Sequence, residues 1–116
     1  MSQPKTFTAA FETESGERSR VTGALHFSTV SALLEPGAAA ITEGRAAVID
    51  LSTVSESDSS GLALLIEWLS IAKSARRSLR YENVSEQIQE LARLSDVEGL
   101  LTRASEAPPA TDLRSV

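Results

Sequence analysis

The chain has no cysteine and only one histidine, one tryptophan and one tyrosine in 116 residues. Without cysteine there is neither disulfide nor thiolate chemistry, a usage compatible with a reducing compartment. The lone His26 has no companion ligands at zinc-site spacing, so its first reading is structural. No apolar run approaches the roughly 18 residues of a membrane span. Lys5 is not followed by the apolar segment of a signal peptide, and none is expected. Positive charge is also short: 11 Lys and Arg against 16 Asp and Glu leave a net charge of −5. A nucleic-acid face needs clustered Lys and Arg. The nearest candidate, Arg76-Arg77 with Arg80, reads as a solvated helix end that complements the helix dipole. There is no Gly-x-x-x-x-Gly-Lys loop for nucleotide phosphates. Ser, His and Asp are all present, but no Gly-x-Ser-x-Gly elbow brings them into a triad. These absences predict a cytoplasmic protein that is not an enzyme, with no cofactor, no nucleic-acid partner and no direct membrane insertion; it also lacks the basic amphipathic helix of a lipid-surface binder.

What is present is globular: 41% of residues are apolar and 23% charged. Residues 5–103 are expected to form one domain, and 104–116, with Pro108-Pro109, a disordered tail. Thr6–Glu12 and Arg18–Leu25 read as strands that pair as a hairpin across Ser15-Gly16. Ser28 or Thr29 is expected to cap a short helix through Val30, Leu33 and Leu34 that ends before Pro36-Gly37. Ala46–Leu51 is apolar on both faces, as a central strand covered from both sides should be. After a six-residue loop, Ser59–Ala75 shows the clearest helical period. Leu62, Leu65, Ile66 and Leu69 make one apolar face, and Leu64, Trp68 and Ile71 a second. Ser78–Tyr81 is a short strand, and Ser85 opens a third helix with Ile88, Leu91 and Ala92 at helical spacing. The order β-β-α-β-α-β-α implies an α/β fold, a central mixed sheet with helices packed on it and parallel neighbours joined by right-handed crossovers.

The most specific feature is where an apolar strand meets two hydroxyls at a helix start: Val48-Ile49-Asp50-Leu51, a loop, then Asp58-Ser59-Ser60-Gly61-Leu62. Asp58 at the cap would accept from free N–H groups of the first turn, worth about 1 kcal/mol. Ser59 and Ser60 then sit in that turn, where unpaired donors and the dipole favour an acceptor-rich surface. Gly61 lets another backbone come close. The plain alternative is that both serines only cap the helix. Asp50 is read as a loop cap rather than a contact. Leu64 and Trp68 belong either to a second core face or to an exposed anchor at a partner interface, where Trp is enriched.

Asp50-Leu51-Ser52-Thr53-Val54 and, three residues on, Asp58-Ser59-Ser60-Gly61-Leu62 resemble the signature of STAS domains, shared by sulfate transporters and anti-sigma factor antagonists. Glu56 and Ser57 stand where the family is usually apolar, which implies a less tightly packed loop. Further segments narrow the likeness: Gly61–Leu69, Ala72-Lys73, Leu79–Val84, Leu91–Leu94 and Val97–Leu101. Over about residues 46–101 they resemble the STAS subunit of the Mla phospholipid ABC transporter.

That resemblance implies a STAS-type fold and a non-catalytic cytoplasmic accessory subunit. Its partner would be the transporter's ATPase subunit, and through it a permease. The implied contact is Asp58, Ser59, Ser60 and Gly61, extended by Leu64 and Trp68. In the lipid-transport subunits the hydroxyl important for ATPase binding maps to Ser59. In anti-sigma factor antagonists the phosphorylated hydroxyl maps to Ser60, the phosphorylation candidate here. A phosphate on Ser60 would add a charge of about −1.5 to −2 beside Asp58. Serine at both positions leaves the two readings open.

Overall fold

The hairpin forms as predicted in the computed structural model, which describes residues 7–101. The expected tail and the outermost residues of the predicted domain lie outside the described residues. Strand β1 (Ala9–Thr13) pairs antiparallel with β2 (Arg18–Leu25), placing Phe11 opposite Val21. Helix α1 (Phe27–Thr42) then leads to β3 (Val48–Ser57), and α2 (Ser59–Ser74) to β4 (Arg80–Glu82). Both β2–β3 and β3–β4 are parallel, and the sheet order is β1-β2-β3-β4. Both crossovers step the same way across the sheet, so right-handed connections put α1 and α2 on one face. Helix α3 (Glu86–Leu94) follows, its Ser85 cap accepting from the Ile88 N–H at 3.2 Å. Val21, Leu25, Ile49, Leu51, Leu65 and Ile88 are buried in the core between sheet and helices.

Three expectations are corrected. First, β3 is not covered by helices on both sides. Ile49 and Leu51 enter the core, while Asp50 belongs to the opposite face with Arg18, Arg20, Arg80 and Glu82. There Glu82 accepts from Arg18 at 2.9 Å and lies 3.2 Å from Arg80. Long arginine stems cover this face in place of a helix, which is why Val48 and Asp50 are buried all the same.

Second, Ser52–Ser57 is strand rather than loop. Pairing with β2 continues as Thr22–Thr53, Gly23–Val54, Ala24–Glu56 and Leu25–Ser57, with register shifts at two places. Each shift places an extra residue on β3, as a bulge does, and this breaks the alternation that would have marked a strand.

Third, α1 neither starts at Ser28 or Thr29 nor stops before Pro36. His26 is its N-cap and the helix runs on through Pro36-Gly37. A proline inside a helix costs about 3 kcal/mol. Offsetting this, Ala40 and Ile41 beyond it are fully buried. Gly37 lies so close to the Trp68 ring that a Cβ there would be 2.2 Å from it. Burial of a tryptophan and an isoleucine outweighs the local signal.

Candidate functional site

Adjacent parallel strands that each feed a helix bring the two helix starts side by side at the strands' carboxyl ends. The Asp58 N–H donates to the Leu25 carbonyl at 2.9 Å, tying the end of β3 to the end of β2. The Asp58 carboxylate then serves both helices. One oxygen accepts from the Ser60 N–H at 2.8 Å and the other from the Phe27 N–H at 3.2 Å. Burial alone would raise the Asp58 carboxyl pKa. The N–H donors of Ser60, Phe27 and Gly61, with the nearby His26, hold it below the ordinary value.

His26 stands between two acids, with Nδ1 3.7 Å from Asp58 and Nε2 3.6 Å from Glu56. Its ring stacks on Phe7 at 3.8 Å, and the His26 backbone N–H donates to Thr29 Oγ1 at 3.0 Å. Thr29 Oγ1 in turn donates to the Ala24 carbonyl at 2.7 Å. Thr29 is thus the third residue of α1 rather than its N-cap, and its side chain closes the N-cap N–H in a capping box.

The predicted residues divide by position. Ser59 is exposed and Ser60 half-buried at the start of α2. Gly61 is buried, and its missing side chain is required internally: a Cβ would lie 2.1 Å from Ser57 Oγ and 2.7 Å from Leu25 Cβ. The close approach it allows is between β2 and α2. Ser57 is buried as well. Its hydroxyl donates to the Asp58 carbonyl at 2.9 Å and its N–H to the Gln87 side chain at 2.8 Å. The segment expected to pack loosely is therefore bonded on both sides.

Leu64 is largely buried and lines a shallow groove between α1 and α2. Trp68 is fully buried, its indole N–H donating to the Leu34 carbonyl at 3.2 Å and its ring edge-on to Phe11 at 5.5 Å. Of the two roles open to Trp68, the structure places it in the core, below the surface a partner would touch. Asp50 is apart from the helix starts. It accepts from the Ser52 N–H and hydroxyl, both at 3.0 Å, and from Asn83 at 2.9 Å, securing the first bulge and the end of β4.

Sequence reasoning missed Phe27, which is 81% exposed in the first turn of α1 and whose N–H shares the Asp58 cap. An aromatic beside a histidine gives no local sign of that exposure, because the neighbouring helix start is brought by β2–β3 pairing. Chemically, the helix starts present hydroxyl, carboxylate and imidazole groups at the surface. His26 faces carboxylates, and no bond links it to the Ser59 or Ser60 hydroxyl. Among the described residues no group of three or more His, Cys, Asp or Glu is placed to hold a metal ion, and no helix is long and apolar enough to cross a membrane.

A family model described as "Mlab, STAS domain" matches residues 12–102. Among solved structures, the anti-sigma factor antagonist SpoIIAA in its unphosphorylated form is similar at 21% identity and a TM-score of 0.59, over 78% of this chain and 84% of that one. The Bacillus cell fate determinant SpoIIAA in the phosphorylated form is similar at 21% identity and a TM-score of 0.57, over 78% of this chain and 86% of that one. At that identity the likeness establishes the mixed-sheet fold. No protein of curated function matches the chain.

Proposed function

This chain belongs to the STAS-domain family described as Mlab, and on that premise we propose that it is a non-catalytic accessory subunit of a phospholipid ABC transporter. It binds and supports the ATPase subunit, and through it the permease, and so lies in the cytoplasm peripheral to the inner membrane. The contact is centred on Ser59 and Ser60. The observation that carries this reading is the division of labour at the helix start. Asp58 already satisfies the Ser60 and Phe27 N–H groups, so the exposed Ser59 hydroxyl has no capping duty. A side chain free of structural duty beside a helix N-terminus is available to an acceptor on a partner.

The anti-sigma factor antagonist reading needs phosphate on Ser60. That residue is half-buried, and its N–H is held 2.8 Å from the Asp58 carboxylate. A phosphate there would meet a like charge.

The test is affinity purification from the native cell with a tag at the C-terminus, read by mass spectrometry. An ABC ATPase recovered with a permease is the expected result. Recovery of a kinase-type anti-sigma factor, with phosphate on Ser60, would replace this reading with the other.

A further inference from the structure

Helices α1 and α2 each contribute one stripe to the groove between them. On α1 the stripe is Phe27, Val30, Ser31 and Leu34; on α2 it is Ser60, Ala63, Leu64 and Glu67. Both follow the i, i+3, i+4, i+7 spacing of a single helix face. Val30, Ser31 and Leu34 with all four α2 residues line a groove of about 320 Å³. Phe27 stands one turn before Val30, highly exposed. The groove is continuous with the proposed contact because Ser60 belongs to both.

Its charge is of one sign. Among the described residues Glu67 is the only charged one lining it, and Glu35 follows Ser31 by one turn. Glu56 and Asp58 stand at the helix starts, each about two-fifths exposed. Among the described residues the arginines are placed elsewhere: Arg18, Arg20 and Arg80 on the open sheet face, Arg45 after the end of α1, Arg76 and Arg77 beyond the end of α2, and Arg93 in the last turn of α3.

We propose that this groove receives a positively charged amphipathic helix of the ATPase subunit. An apolar side chain of that helix packs against Leu34 and Leu64, Phe27 covers its flank, and a Lys or Arg pairs with Glu67. The inference rests on the function proposed above and adds to it the chemistry of the partner. Two parallel ridges with an apolar floor accept a third helix by ridge-into-groove packing. The acidic rim selects a basic one and sets two identical grooves against each other, which disfavours a second copy of this chain as occupant.

The test is photo-cross-linking in cells with the full chain carrying p-benzoylphenylalanine at position 27, 63 or 59. Cross-links from positions 27 and 63 to a Lys- or Arg-bearing helix of the ATPase are expected. Glu67→Lys should then weaken ATPase retention at least tenfold without moving the thermal midpoint. Cross-links from position 59 alone would overturn the groove assignment and leave the proposed function standing. No ATPase cross-link from any of the three positions would overturn both. Cross-links between copies of this chain at 27 and 63 would assign the groove to a self-interface instead and overturn the inference.

Discussion

The α1–α2 layer has two ends, and they treat their polar groups differently. At the carboxyl ends of the helices, side chains close the structure: Arg77 Nε donates to the Thr42 carbonyl at 3.2 Å, supplying positive charge where the dipole is negative. At the amino ends a single carboxylate, Asp58, closes both helices at once. That economy leaves Ser59 and Phe27 exposed beside it. The difference separates side chains that hold the fold from those available to a partner, and the two classes can be adjacent in sequence.

The comparison would break first at the residues assigned to folding. Trp68→Ala removes the ring that Gly37 and Phe11 pack against. It should cost about 3–5 kcal/mol in urea unfolding, lowering partner binding only in proportion to the unfolded fraction. If Trp68→Ala instead binds poorly while fully folded, the core assignment is wrong. Gly61→Val should destabilise by about 1–3 kcal/mol, because its Cβ meets Ser57 Oγ and Leu25 Cβ inside the molecule.

Asp58→Ala removes caps from both helices and should cost about 1–3 kcal/mol. Its pH signature sharpens the test. The folded pKa lies below the unfolded value of about 3.9, so the folded state binds fewer protons and stability rises with pH in that range. The Asp58 contribution is present above the unfolded pKa and is lost as pH falls through the folded one. Asp58→Asn should therefore show a shallower acid limb than the parent chain in thermal scans below about pH 5. Asp50, held low against burial by Asn83, Ser52 and Arg20, should act in the same direction. The smallest effect belongs to Arg77→Ala, which should cost under about 1 kcal/mol and leave partner affinity untouched.

Much of this was legible in the sequence because it is local. The amphipathic period of α2, the Ser85 cap and the hairpin all appear in the structure, in the order expected. The Asp58 cap was legible too, but only half of it: the bond to Phe27 spans 31 residues and exists because β2 and β3 are neighbours. The same non-local cause explains the other misses. Alternation failed over Ser52–Ser57 because bulges shift the register. Pro36 was a misleading stop because burial of Ala40 and Ile41 carries α1 past it. The apolar run Ala46–Leu51 suggested a strand packed on both faces, whereas arginine stems of neighbouring strands supply the cover on one. At the site, residue types pointed to Ser59 and Ser60, but only the fold separates Leu64 at the groove from Trp68 in the core.

The central claim is that Ser59 serves a partner and not the fold. It is tested most directly by measuring ATPase affinity and thermal midpoint together for Ser59→Arg in the full chain. The account predicts an unchanged midpoint with binding reduced beyond detection. Parent-like affinity with an unchanged midpoint would contradict it.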